Sequence, residues 1–312
     1  MIEETLVVLK RISRPTLSND SLEYWFAGPA IVVLLALVIV PMVWSLYTSF
    51  TSLNLIAPGN HGAFVGLENY ATVLTNHRFY NDLFNTAIYV GGGVFVQFVI
   101  GFAIALIMAK YTKGMLSTAL FTVLLLPMMM APIIVGYIWR LLLQSTFGPV
   151  DYVLKTAFGM APIQFLSSTQ LSLFSVMFAD IWQWTPFLTL ILYTGRIAIN
   201  EDLYEAARID GAGRWFTFRH VTLPQMKGVI AVALLLRAMD AFKFFDKMFV
   251  MTRGGPGTSS ELITYLNYLR GFNDYAMGHA TAMSWILVVV TVILANLFLY
   301  VLERTEGGEE IA

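Results

Sequence analysis

Residues 201–224 read E-D-L-Y-E-A-A-R-I-D-G-A-G-R-W-F-T-F-R-H-V-T-L-P. This is a long polar, helix-prone stretch set between two strongly apolar runs. Asn200 is a favourable N-cap, and Glu201 and Asp202 place negative charge in the first turn, where the helix dipole favours it. Leu203, Ala206, Ala207 and Asp210 follow at helical spacing, and the two alanines offer a flat surface that another backbone can approach. Gly211 and Gly213 are suited to the left-handed conformation that ends a helix. A second short helix is predicted from Arg214, carrying Trp215, Phe216 and Phe218 and stopping at Leu223–Pro224. From these residues alone, the stretch is an amphipathic helix pair at a membrane surface.

The rest of the chain supplies the membrane. Of 312 residues, 57% are hydrophobic and 12% charged, against about 25% charged in a typical soluble domain. A hydrocarbon layer of ~30 Å takes roughly 20 helical residues. Six runs meet that length: 26–48, 83–108, 116–141, 171–196, 228–251 and 278–302. The fold class expected is therefore an all-α polytopic membrane protein with six transmembrane helices. Its domains are an N-terminal tail (1–25), the six-span body (26–302, with the loop at 197–227) and a C-terminal tail (303–312).

Orientation follows from Lys and Arg. With the N-terminus inside, the cytoplasmic side receives Lys10, Arg11, Arg14, Lys110, Lys113, Arg196, Arg208, Arg214, Arg219, Lys227 and Arg304. The outer loops receive only Arg78, Lys155, Arg253 and Arg270, so both termini are placed inside. Aromatic residues near the span ends, among them Tyr24, Trp25, Trp44, Tyr47, Trp139 and Tyr300, suit an interfacial belt. The outer connections are turn-rich, with A-P-G-N-H-G at 57–62, F-G-P at 147–149 and R-G-G-P-G at 253–257. They suit lid and turn structure or a docking face.

Several function classes drop out. The chain has no cysteine, so disulfides, thiolate metal sites and cysteine nucleophiles are excluded. His61, His77, His220 and His279 are scattered without metal-pair spacing, and none falls at the centre of a span. A net charge of −1 gives no basic surface for nucleic acid. No G-x-x-x-x-G-K-S/T phosphate loop is present.

Asp240, Lys243, Asp246 and Lys247 lie in the predicted fifth span. On a continuous helix, at ~100° per residue, they share one arc of about 120°. Ionisable residues at that depth face the bundle interior or water. Two readings follow: internal i,i+3 pairing of Asp240 with Lys243 or of Lys243 with Asp246, or a hydrophilic cavity lining.

At this point the sequence resembles a known family. E-A-A, three residues, G, nine residues and I/V-x-L-P form the signature loop of permease subunits in bacterial ABC importers. Glu205, Ala206, Ala207, Gly211, Val221, Leu223 and Pro224 fit it, with Val221 where Ile is usual. F-x-G-L-x-N-Y at 64–70, Asn85–Thr86, and A-F-K-x-F-D with T-x-G-G-P-G at 241–257 are similar to the maltose-type sugar permeases. The resemblance implies a type I importer fold and a substrate-translocating function at the bacterial cytoplasmic (inner) membrane. It implies partners as well: a second homologous permease, two ATP-binding subunits forming a homodimer, an extracytoplasmic solute-binding protein, and membrane lipid. No cofactor is implied on this chain, since ATP and Mg would sit on the partner ATPase.

The resemblance also implies sites. Glu205, Ala206, Ala207, Asp210, Gly211, Leu223 and Pro224 would couple to the ATPase. Trp184, Phe187, Phe242 and Lys243, joined by Asp240 and Asp246, would line the substrate cavity, with Asp180, Gln183 and Trp285 as secondary candidates. Lys243 stands where the best-known relative has an amide, which opens charged or smaller polyhydroxyl cargo. Amino acids, polyamines and phosphate esters are alternative cargoes. An ion-coupled secondary transporter would call for an inverted internal repeat, which the sequence does not display.

Overall fold

The computed structural model describes residues 19–57, 62–111 and 114–306, which are largely helical. Helix α1 (Asn19–Ser49) is followed by α2 (Glu68–Thr75) and α3 (His77–Tyr111). The next apolar run forms α4 (Met115–Met129) and α5 (Pro132–Leu142), and α6 (Pro149–Phe158) leads to α7 (Ser172–Ile197). The loop stretch holds α8 (Glu201–Ile209), α9 (Arg214–Thr217), a π-helical turn (Phe218–Thr222) and α10 (Leu223–Gln225). Then come α11 (Lys227–Phe242), α12 (Asp246–Met251), α13 (Ile263–Tyr268), a second π-helical turn (Leu269–Asn273) and α14 (Met277–Glu306). Lys10, Arg11, Arg14, the turn at His61, Lys113 and residues 307–312 lie outside the described residues. The first and last helices run past the boundaries at 26 and 302 that apolarity suggested.

The centre is the pair α3–α7. The buried face of α3 runs through Val94, Gln97, Gly101, Phe102, Ala105 and Met108, the spacing of one helix face. Gly101 permits the close crossing, because a Cβ there would stand 3.2 Å from the backbone nitrogen of Thr189. Helix α1 stands outside this core, against α14, with most of its apolar side chains exposed, as lipid contact allows.

Two expected spans are not continuous helices. The third turns by 91° between α4 and α5. Ala131 precedes Pro132, and a residue before proline is driven out of the helical region; its ψ is 133°. Gln183 Nε2 donates to the Met130 carbonyl at 2.8 Å, satisfying a group the bend leaves free. The fifth breaks between α11 and α12, where Thr264 Oγ1 donates to the Phe244 carbonyl at 2.5 Å. By length and apolarity, three helices can cross a membrane (Ala27–Ser49, His77–Tyr111 and Met277–Phe298), or four if the bent pair is one span.

The outer motifs are clamps. Asn69 Nδ2 donates to the carbonyls of Ser49 and Thr51, both at 2.8 Å, and Tyr70 shares a 2.7 Å hydrogen bond with Ser49. Asn85 Nδ2 donates to the carbonyls of Thr258 and Glu261, and Thr86 accepts from the Ile263 amide. Arg78 holds the Glu261 carboxylate with two nitrogens, at 2.7 and 2.8 Å. Arg78, Asn85 and Thr86 tie the loop after α12 to the first turns of α3.

Candidate functional site

The break in the fifth span redistributes its charges. Lys247, the second residue of α12, is fully buried, and Arg237 on α11 is 1% exposed. Both converge on Asp180 of α7. Lys247 Nζ donates to Asp180 Oδ1 at 2.8 Å and to Gln183 Oε1 at 2.5 Å, while Arg237 Nη2 pairs with Asp180 Oδ2. Gln97 of α3 completes the set, accepting from Arg237 Nε at 2.8 Å and donating to Asp180 at 2.9 Å. A buried charge is tolerated only when paired and hydrogen-bonded, and this knot meets that condition with donors from α3, α11 and α12 and acceptors from α7. Gly136 on α5 lets α12 approach, since a Cβ there would lie 3.2 Å from the Lys247 Cα.

The predicted single stripe is therefore divided. Neither expected i,i+3 pair forms among the described residues. Asp240 instead bonds Arg237 at 2.9 Å and keeps its carboxylate half exposed, whereas Lys247 turns into the core. The 100° progression assumed a continuous helix, and the backbone at 243–245 is not one. Lys243 closes α11, Asp246 opens α12, and both side chains are exposed at the break.

Trp184 joins this region, with the Arg237 guanidinium 5.3 Å from its ring. Phe187 meets Trp184 edge-on at 6.0 Å but packs on the cluster around Phe102 and Leu188. Phe242 is half-buried at the last turn of α11, and Trp285 is half-buried on α14. The residues the sequence reading undervalued are Arg237, Lys247 and Gln97. The signal available was two cations inside apolar runs, each requiring a partner from another span.

At the loop of residues 201–224, Asn200 Oδ1 accepts from the Asp202 amide at 3.1 Å, capping α8 as expected. The end of α8 is a Schellman turn: Ala212 N–H bonds the Ala207 carbonyl at 2.9 Å and Gly211 N–H that of Arg208 at 3.1 Å. Gly211 has φ +74°, but Gly213 is extended and begins α9, so only Gly211 takes the left-handed role. Ala206 is exposed and Ala207 buried, so the two alanines do not form one surface.

Pro224 does not stop the second helix. The Leu223 amide bonds back to the Phe218 carbonyl, and this wider turn carries the chain through to α10 and α11. Tyr204 pins the two limbs together by a 3.0 Å hydrogen bond to Thr222, beneath the Arg196 guanidinium 4.0 Å from its ring. Glu205, Asp210 and Gly211 are exposed, Leu223 partly so, and Pro224 is half-buried. Ile209 at 86%, Trp215 at 71% and Phe216 at 54% exposure are open apolar side chains of the same loop.

Residues 101–305 match the family model of the binding-protein-dependent transport system inner membrane component. The chain belongs to this family of ABC transporter permeases. The permease is 36% identical over 267 residues to a probable ABC transporter permease protein, y4oQ, of Sinorhizobium fredii, covering 85% of this chain and 84% of the relative. It is 34% identical to the trehalose/maltose transport system permease protein MalF of Thermococcus litoralis, over 86% and 90% of the two chains. It is 32% identical to the trehalose transport system permease protein SugA of Mycobacterium tuberculosis, over 94% and 92%. A crystal structure of a bacterial ABC transporter involved in import of the acidic polysaccharide alginate contains a chain of the same fold. That match has TM-score 0.81 and 23% identity, and covers 92% of this chain and 97% of that one.

The permease is thus the non-catalytic, multi-pass membrane component of a binding-protein-dependent ABC importer in the inner membrane, and works in a complex with an ATPase and a solute-binding protein.

Proposed function

We propose that this permease translocates a sugar or sugar-like polyhydroxyl solute by alternating access, as one half of a heterodimer with a second permease. In this reading the chain makes six passes: the bent α4–α5 pair, α7 and the broken α11–α12 each cross with the three long apolar helices. The observation that carries the reading is the break at 243–245. It leaves Lys243 and Asp246 exposed inside a predicted span while every neighbouring buried charge is already paired. Uncommitted polar groups beside aromatic faces are what a sugar site needs. Trp184, Phe187 and Phe242 supply the faces, and Lys243, Asp240 and Asp246 the hydrogen bonds. Lys243 extends the cargo class to acidic sugars.

The loop supplies the coupling. Glu205, Ala206, Asp210, Gly211 and the exposed Ile209, Trp215 and Phe216 dock on one subunit of an ATPase homodimer, which holds ATP and Mg. Ala207 and Pro224 shape the loop from within, and the partly exposed Leu223 borders the docking surface. The binding protein docks on the outer clamps. A ligand panel on that binding protein, read by thermal shift, tests the reading, with hits assayed for stimulation of ATP hydrolysis by the purified complex. Sugars are expected to stabilise and stimulate; amino acids, polyamines or phosphate esters doing so alone would refute it.

A further inference from the structure

We infer that Arg237 is a positioning residue for the cargo: from inside the knot it fixes where Asp240 and Trp184 stand at the open surface. The inference rests on the sugar reading above and deepens it by adding a residue that the solute does not reach. The guanidinium is 1% exposed and faces two ways. Inward, Nε donates to Gln97 Oε1 at 2.8 Å and Nη2 pairs with Asp180 Oδ2. Both partners are buried, and Lys247 holds Asp180 again at 2.8 Å, so the knot sets the plane of the guanidinium. Outward, Nη1 donates to Asp240 Oδ2 at 2.9 Å, and the Trp184 ring centre lies 5.3 Å from the guanidinium carbon. Arginine suits this place because its planar fork serves several acceptors at fixed angles while its face meets an aromatic ring.

Asp240 therefore differs from Lys243. The Asp240 side chain is half exposed, with one oxygen committed to Arg237 and the other without a partner among the described residues. A carboxylate only accepts, so the free oxygen takes a hydroxyl that donates, at a point fixed by the knot. An ammonium only donates, and Lys243 carries it on a flexible stem at the break. Asp240 and Trp184 set the register of a sugar, and Lys243 adapts to it.

Arg237→Lys keeps a positive charge beside Asp180 but cannot hold Gln97, Asp180 and Asp240 together. In the assembled importer in liposomes, trehalose, maltose and an acidic oligosaccharide are supplied with the binding protein. The uptake kcat/KM is measured for this variant, for Asp240→Ala and for the two combined. The inference predicts that each single change lowers kcat/KM several-fold. The combination should fall no further than Arg237→Lys alone, because both changes remove the same contact. Lys243→Ala, outside the bonds of Arg237, should instead multiply with Arg237→Lys. If it does not, the loss is a general one and the inference fails. Losses at 237 and 240 that multiply would overturn it, as would a wild-type value for either single change; both results leave the sugar reading standing. Where Arg237→Lys does not assemble, Gln97→Met frees Nε while keeping the arginine and takes its place in the same cycle. Failure of that variant too would make Arg237 a residue of structure only and overturn the inference. If the wild type takes up none of the three sugars, the sugar reading and the inference fall together.

Discussion

The buried knot at Asp180 and the loop at 201–224 are both polar islands in an apolar chain, and they are finished in opposite ways. At the knot each charge has its counter-charge and Gln97 and Gln183 take up remaining bonds, all contributed by this chain. At the loop the internal bonds are also made, by Asn200, Tyr204 and the Schellman turn, but apolar side chains remain outside. A polar site closed on itself holds helices in place. The loop closes its backbone and leaves Ile209, Trp215 and Phe216 bare, which is the basis for proposing that the ATPase docks there.

The largest effect is expected from breaking the knot. Asp180→Ala strands the buried Lys247 without a counter-charge and leaves Arg237 only the half-exposed Asp240, a loss of about 3–5 kcal/mol. The complex should fail to assemble, as size-exclusion chromatography in detergent would report; normal assembly would mean that the knot is not structural. Next, Trp215→Ser with Phe216→Ser should leave this chain inserted but lose the ATPase on co-purification. Retention of the ATPase would show that the apolar face serves lipid instead.

Smaller effects sharpen the contrast. Lys243→Ala, outside the knot, should leave assembly intact and shift the uptake KM several-fold, with Trp184→Ala acting in the same direction. Wild-type kinetics for both across a saturating series would move the cargo site elsewhere. Tyr204→Phe removes one hydrogen bond, worth about 1 kcal/mol. Thermal stability should fall slightly while coupling persists; uncoupling by this change would make Tyr204 part of the transmission itself.

The contrast also separates what could be read in the sequence from what could not. The loop was legible because its signals are local: an N-cap, a glycine at the helix end and an exposed aromatic run act over a few residues. Asn85–Thr86 and the G-G-P-G stretch were legible as motifs in the same way, but that Asn85 and Thr86 bond Thr258, Glu261 and Ile263, just past the G-G-P-G, appears only in the fold. The knot was not legible, because Gln97, Asp180, Arg237 and Lys247 lie on four helices and periodicity does not say which charges meet. The break at 243–245 was hidden for a related reason. Its stabilising bond comes from Thr264, twenty positions on, and the local pattern reads equally well as a continuous helix. Pro132 stands in plain view in the sequence, but the 91° bend follows only from the extended backbone of Ala131 before it.

The central claim is that ATP hydrolysis by another chain enters this permease through the loop, and Gly211→Leu tests it most directly. At φ +74° a leucine strains the turn while touching nothing in the membrane body, since a Cβ at 211 meets open space. Uptake of a binding-protein-delivered sugar should be measured in proteoliposomes holding equal amounts of inserted wild-type or variant complex. The prediction is loss of ATP-driven uptake to background with insertion unchanged. Uptake at the wild-type rate would contradict it.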